Sequence, residues 1–463
     1  MKMFKELEQK VVALMGEFKI PGLAIGIVND SKPIYAKGFG ARNLEKNLPF
    51  TEDTLFGIGS ISKSVTVIAL LQLVEKGKIS LQDPVNKYLD FKLGDENNPI
   101  KICHLLSHSS GIPELSGNVV AIVRQLGNFN SLIPMSSWND FLLHVNGATN
   151  EFFEIPEKIF FYNNDMFTCV GLIIEKITNM KFEAYVKENI LLPLEMNRST
   201  YLKEDIERDD NVLTGYIPSK EKEPYKETQH PFDKTVYAPG GLLSSVREMQ
   251  NYIITLINGG VFNSNRILNQ SILEQMWKPY IKIPEETYGG KEPSYGLGWK
   301  IEKDFFGYEL IEHGGDIGSS TAYLAIIPEK RMGVISGANC NASIVLGSLA
   351  HAVLGILLDR KFNETALSLV VHKKLKNLTG EYQTYKSLET MKISFEEGIL
   401  YTEIKESLDF PKMKLPLAPE NLDELKFYVP IAYPNRKIKI QFFIDEQTEK
   451  VHFTFDRYYY HKI

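Results

Sequence analysis

Ser60 and Lys63 are the residues of this chain whose types and spacing most directly suggest chemistry. They stand in FGIGSISKSVTVIALLQLVEKG, residues 56–77, where Gly57 and Gly59 allow sharp bends and close backbone approach without a side-chain penalty. Beyond Ser60 the apolar residues Val67, Leu70, Leu71 and Val74 recur at helical spacing, and Gly77 stands where a C-cap would stop the helix. Ser60 is therefore expected at a helix N-terminus, where unpaired N–H groups and the macrodipole favour a developing alkoxide or oxyanion. Three residues on, Lys63 shares the same helix face, and a lysine in a dry pocket loses proton affinity and can act as a base. Serine is also a preferred helix cap, and a first-turn lysine is ordinarily solvated. The dipole, however, disfavours a cation at this end, so the placement points to a chemical task.

Other residues carry weaker signals. His104 and His108 stand four apart in KICHLLSHSSGIP (101–113), the spacing of a metal pair on one helix face. No acidic residue or third ligand accompanies them at recognisable spacing, so they read as structural, with Ser107, Ser109 and Ser110 bonding locally. No metal and no cofactor is expected. In FFYNNDMF (160–167), Tyr162 taken alone reads as core and Asn164 as a helix N-cap. The strand-to-helix nucleophile motif G-x-S-x-G is excluded, because Ile58 and Ser62 occupy its glycine positions.

The elements that must position these residues follow from periodicity. Residues 2–16 read as a helix, and 22–29 with 34–40 as two strands joined at Asp30, Ser31 and Lys32. Helices are expected at 101–113, within 117–150 around a loose connection at 127–134, at 165–178, 182–192 and 246–257, and at 343–357. Residues 200–237, charged and carrying Pro218, Pro224 and Pro231, read as a long surface loop or lid. YGLGWKI, GYELIEHGG, TAYLAIIP and RMGVISGA read as four antiparallel strands. From about residue 373 the texture changes to short alternating runs (MKISFEEG, ILYTEIK, LKFYVP, KIKIQFFID) separated by Gly, Pro, Asn or Asp, the pattern of a small antiparallel sandwich or barrel. The expected domains are 1–362 and 373–463.

At 463 residues the chain exceeds one ordinary core, which favours two or three domains. A formal charge of -6 gives no reason to expect nucleic acid or an anionic membrane as partner. No run reaches the roughly 18 uncharged apolar residues of a membrane helix. The N-terminal residues mix acids and bases rather than forming a signal sequence. Cys103, Cys169 and Cys340 are too few and too scattered for a disulfide framework, which suggests a reducing interior and a cytoplasmic location.

Taken in order, S-I-S-K at 60, Y-N-N at 162 and H-G-G at 313 resemble the three motifs of the penicillin-binding-protein-like hydrolases, in the class C β-lactamase, D-aminopeptidase and CubicO branch. ICHLLSHSSGIP, LLPLEMNRSTY, APGGLLSSVREM and YGLGW look similar too, so the resemblance spans roughly residues 5–358. It implies an α+β fold: an antiparallel sheet built from both ends of this region and flanked by helices, with a helical subdomain inserted between and the site at their junction. It makes Ser60 the nucleophile, Lys63 its base and Tyr162 a second proton shuttle, a phenol lowered by two nearby cations. Asn164, His313, Gly314 and Gly315 would bind substrate, and the backbone N–H groups of Ser60 and Asp316 would form the oxyanion hole. Two departures stand out. His313 replaces the lysine of many β-lactamases and is expected to tune substrate choice by donating a hydrogen bond. Glu157 occupies a position where relatives usually carry glycine. The tail resembles the lipocalin-like domain of some CubicO peptidases, where it is tied to assembly and restricted access, so a homo-oligomer through the C-terminal domain is expected.

The implied function is hydrolysis of a small peptide or ester through an acyl-enzyme on Ser60. A peptidase, including one acting on D-residue-containing peptides, is favoured over a carboxylesterase or a weak β-lactamase. The reading from another class is a catalytically silent scaffold or a carrier of a small apolar ligand in the tail barrel.

Overall fold

In the computed structural model the described residues are 2–127, 135, 137–218, 225–285, 292–404, 413–431, 436–445 and 447–463. The expected loose connection at 127–134 therefore lies almost wholly outside them. The chain divides into two compact units, Met1–Thr365 and Ala366–Ile463.

The first unit is organised on a nine-stranded antiparallel sheet. Its order is Ile281–Lys282, Ser294–Tyr295, Lys300–Phe305, Tyr308–Asp316, Thr321–Ile327, Met332–Ala338, Gly22–Asn29, Lys32–Asn43 and Leu48–Pro49. The two ends of the unit meet in its middle, where Leu23 pairs with Ala338 and Val28 with Gly333. Asp30 and Ser31 both take positive φ (50° and 53°), the two-residue turn that matches strand twist, so the second strand starts at Lys32, earlier than expected. YGLGWKI forms two strands rather than one, because Gly298 at φ 72° breaks it.

Strand alternation assigns the two faces of the sheet. Ile335 lies beside Gly26, and a Cβ added at Gly26 would meet Val246 and Gln250, so the Val246–Ile257 helix covers that face. On the opposite face Tyr323 packs against Gly347 of the Ser343–Leu357 helix. His313, in register with Leu324 and through it with Ile335, lies on the Val246–Ile257 side, and Glu312 points the other way to His351.

The helical segments between the sheet's two halves differ from expectation in places. The helix starting at Ile102 ends at Leu106, because His108 takes φ 57° and the chain leaves through Gly111 at φ 79°. Residues 200–237 are not a plain loop: they hold the Lys203–Ile206 helix, the Gly215–Pro218/Tyr225–Thr228 hairpin and the start of the Lys234–Gly240 helix, with 219–224 outside the described residues. The long helix expected at 182–192 is α-helical over Phe182–Val186 and widens to a π-turn over Lys187–Leu191. No helix among the described residues is long and apolar enough to cross a membrane.

The second unit opens with the Leu367–Asn377 helix, ahead of the expected start at 373. Nine strand segments follow, ordered Met413–Pro416, Ile399–Ile404, Thr390–Glu396, Gly380–Gln383, Tyr458–Lys462, Val451–Phe455, Arg436–Ile444, Lys426–Ile431 and Ala418–Asn421. The first and last of these are consecutive in sequence, separated by Leu417 alone. One bent strand thus supplies both edges, and the result is an antiparallel barrel that is nearly closed. Its interior is lined by side chains such as Tyr382, Phe427, Phe442, Phe453 and Phe455.

Candidate active site

Ser60 lies in a 3-10 turn, Gly59–Ile61, that runs into the Ser62–Glu75 helix. Ser62 fastens the turn, donating its hydroxyl to Gly59 O at 2.7 Å and accepting from Leu242 N at 3.2 Å. The helix is buried on every side from Ser62 to Leu73, which makes it a core helix rather than an amphipathic one. Lys63 is consequently 0% exposed. Its Nζ lies 3.0 Å from Ser60 Oγ, 2.6 Å from Asn164 Oδ1 and 2.8 Å from Pro239 O. Pro239 belongs to the last turn of the Lys234–Gly240 helix, where carbonyls lack intrahelical partners, and Thr66 takes the neighbouring Ala238 O at 2.7 Å.

Burial brings the Lys63 ammonium down to about 7, against an opposing pull from Glu114. A neutral lysine has two N–H donors and one lone pair. The Asn164 and Pro239 oxygens can only accept, so both donors are committed to them and the lone pair is left facing Ser60 Oγ. That is the arrangement a base needs to take the serine proton.

Tyr162 comes from the turn before the Asn164–Thr178 helix, of which Asn164 is the first residue. The N-cap is Asn163, whose Oδ1 accepts from Met166 N at 3.0 Å, so Asn164 is not the cap that the isolated motif suggests. Asn163 also donates to Ile112 O and Pro113 O, tying residues 112–113 to the site. The Tyr162 hydroxyl is close enough to Ser60 to be influenced by it, and the Lys63 ammonium lies 4.7 Å from the Tyr162 ring centre. Burial pushes its phenol up, not down. The expected phenol lowered by nearby cations is therefore corrected, because desolvation outweighs them.

His313, Gly314, Gly315 and Asp316 end the Tyr308–Asp316 strand. A Cβ on Gly315 would sit 1.9 Å from Ile58 O and 3.0 Å from Ser60 N, and one on Gly59 would sit 2.5 Å from Asp316 N. Only glycines permit this approach, which lays the backbone at Asp316 against the turn carrying Ser60. Burial, with Lys63 nearby, lowers His313 to about 4. Its Nδ1 is 2.5 Å from Gly314 O, an acceptor, so Nδ1 carries the proton and Nε2 accepts from the Tyr295 hydroxyl at 2.8 Å. Both ring nitrogens are taken up inside the protein, and the expected hydrogen bond from His313 to substrate has no donor left to make it.

Sequence reasoning passed over several neighbours. Glu114 Oε2 accepts from Asn164 N at 2.6 Å, and its Oε1 accepts from Ser116 N at 3.1 Å. His108 accepts from Asn163 N at Nδ1 and sits among Phe160, Tyr162, Phe167 and Tyr295, with its ring centre 4.2 Å from that of Tyr162. The two spaced histidines serve different partners, because His104 Nε2 reaches Glu157 at 3.0 Å. Glu157 has φ 72°, the conformation for which glycine is best suited, so its departure from the resembling motif leaves a backbone trace.

Residues 7–353 match the family described as beta-lactamase, and the chain belongs to that family of serine acyl-enzyme hydrolases. Its α+β fold is accordingly of the β-lactamase/transpeptidase type. Residues 363–461 match the Pab87 octamerisation domain. Over 99% of its length the chain is similar to the octameric penicillin-binding protein homologue from Pyrococcus abyssi, with 35% identity, a TM-score of 0.90 and 100% of that chain covered. A penicillin-binding protein from Bacillus halodurans shares the fold over 71% of this chain and 94% of its own, with a TM-score of 0.57 and 24% identity. Protein flp of Staphylococcus aureus (strain MW2) is 24% identical over 378 residues, 79% of this chain and 69% of that protein.

Proposed function

We propose that the protein is a serine peptidase acting on small peptides, D-residue-containing ones included, through an acyl-enzyme on Ser60. The observation that carries the reading is the Lys63 amine, held by two acceptors so that its lone pair faces the Ser60 hydroxyl. Ser60 Oγ attacks the scissile carbonyl carbon while its proton passes to Lys63 Nζ. The oxyanion is met by the N–H groups of Ser60 and Asp316, in the backbone juxtaposition that Gly59 and Gly315 allow. The C–N bond then breaks, with the proton delivered to the departing amine through the neutral Tyr162 hydroxyl. Water hydrolyses the ester by the same relay in reverse. The remaining Asn164 amide hydrogen is the group available to a substrate carbonyl.

A carboxylesterase would use the same residues, so the substrate decides between the two. Acylation by a fluorophosphonate or an activated ester should add mass to the Ser60 peptide and vanish in Ser60→Ala. An adduct elsewhere, with Ser60→Ala fully active, sinks the assignment. Amide, ester and lactam substrates compared side by side, with L- and D-residue peptides, then rank the activities. The C-terminal unit's match to an octamerisation domain, together with the octameric relative, supports homo-oligomerisation through that unit. Mass photometry of the full chain at several concentrations measures it.

A further inference from the structure

Glu114 follows Ile112–Pro113 in the segment between the Ile102–Leu106 helix and the Gly117–Gln125 helix, and its side chain reaches Asn164. Its Oε2 accepts from Asn164 N at 2.6 Å and faces Asn164 Nδ2 at 3.4 Å, while Asn164 Oδ1 accepts from Lys63 Nζ at 2.6 Å. One carboxamide thus stands between a carboxylate and the catalytic lysine. Its orientation is dictated: reversed, it would set an N–H against the ammonium and an oxygen against the carboxylate. Resting on the acyl-enzyme reading above, we propose that Glu114 is a positioning residue, which fixes the Asn164 oxygen on Lys63 and, through its charge, sets the pH at which Lys63 becomes a base.

The surrounding charges agree with this. Burial, reinforced by Asp165, raises Glu114 to about 7 against its N–H donors, and burial lowers Lys63 to about 7. Across that amide each charge acts on the other, Glu114 drawing Lys63 up and Lys63 drawing Glu114 down. Around Lys63 stand Tyr162, His108 and His313; burial, with Lys63 nearby, holds both imidazoles below their ordinary value. Beside Glu114, Asp165 is itself anchored by Gly117 N, Asn118 N and the Asn118 side chain, with His144, whose Nε2 meets Leu115 O at 3.1 Å, nearby. Glu114 is the group whose charge pulls Lys63 upward. Removing that charge should therefore let Lys63 lose its proton at lower pH.

The test is the pH profile of Ser60 acylation by an activated ester, with thermal melting as a check on folding. In Glu114→Gln, which keeps an acceptor for Asn164 N, the acid limb should move down by about one pH unit, with the plateau within about tenfold of the unmutated protein. In Glu114→Asp, which keeps the charge but shortens the reach, the limb should stay near its original place while the plateau falls. A limb that does not move in folded Glu114→Gln overturns the proposal, as does a uniform loss of rate with unchanged profiles in both variants. Should Glu114→Gln fail to fold, Glu114→Ala, which also removes the charge, is put to the same test of the acid limb, and failure of both to fold assigns Glu114 to stability and overturns the positioning role. An unmutated protein that is never acylated at Ser60 would instead refute the proposed function, a separate result.

Discussion

The two units bury different things. In the first, Lys63, Asp165, Glu312, His104, His108 and His313 all lie inside, and most have shifted proton affinities. In the second, the buried polar residues among those described are Thr384 and Thr402, and the interior is aromatic and aliphatic. Desolvating an ionisable group is costly unless it is paired or neutralised, so a core that collects several of them is arranged for something besides stability. The aromatic core of the second unit needs no such explanation. Edge-on and tilted contacts such as Tyr382–Phe453 at 4.8 Å and Phe442–Phe453 at 5.1 Å account for its packing.

The sharpest way to break this contrast is to neutralise the buried lysine. Lys63→Gln should lower acylation on the order of 10²–10⁴-fold, the usual worth of a positioned base, with little loss of melting temperature. The unmutated protein should show its acid limb near 7, where Lys63 titrates, rather than near the ordinary lysine value. For stability the sign follows from linkage. Between about 7 and the unfolded value of 10.5 the unfolded chain binds more protons than the folded one, so stability should rise with pH through that window from this group. Stopped-flow acylation and pH-dependent melting check the two statements separately.

The matching change in the second unit is Phe453→Ala. Phe453 is 0% exposed, and its truncation should cost about 3–5 kcal/mol, read as a lower denaturation midpoint for the second unit. The acylation rate per folded first unit should stay as it was. A fall in that rate would mean the barrel contributes to the site.

Glu312 tests whether buried charge in the first unit can also be structural. Burial alone would raise this carboxyl, yet His351 at 2.6 Å and Lys300 at 3.7 Å outweigh it and hold Glu312 at about 2. Glu312→Gln leaves His351 without its counter-charge and should destabilise by about 3 kcal/mol, as broken buried pairs do. Since Glu312 points away from Ser60, the acylation profile should keep its shape. The pair's stabilisation is lost on acidification only as pH falls toward 2, and on the alkaline side as the raised His351 gives up its proton.

What could be read in the sequence follows the range of the interactions. Ser60 and Lys63 are three residues apart, and helical geometry alone brings them together. The sheet strands and most long helices announce themselves through local periodicity, as does the change of texture in the tail. Glu114, His108, Tyr295 and the Pro239 carbonyl join the site only through packing between distant segments, and no spacing encodes that. Glu114 stands just beyond KICHLLSHSSGIP with no periodic signal of its own, and Tyr295 is visible only as one letter of YGLGW. MKLPLAP at 413–419 reads as one more short run of the tail; what no spacing encodes is the bend at Leu417, which lets it pair with both Ile399–Ile404 and Lys426–Ile431. In residues 200–237 prolines and charges mark turns without excluding the short helix and paired strands that the structure shows between them.

The smallest expected effect concerns His313, where the sequence suggested a donor to substrate and the structure shows a neutral ring bound on both nitrogens. With its pKa held at about 4, His313 itself offers a substrate carboxylate no positive charge at neutral pH. His313→Lys should introduce one, at the expense of leaving the Tyr295 hydroxyl without its acceptor, and should lower the melting temperature modestly. We expect kcat/KM for a carboxylate-bearing amide to rise relative to that for a neutral ester by about tenfold, one well-placed charge-assisted hydrogen bond. Were His313 instead the general base, His313→Ala would lose on the order of 10²–10⁴ toward every substrate alike. The ratio between the two substrates, rather than either rate alone, separates a residue that shapes selectivity from one that moves the proton. A ratio unchanged in both variants would mean that the carboxylate end of a substrate never reaches this wall.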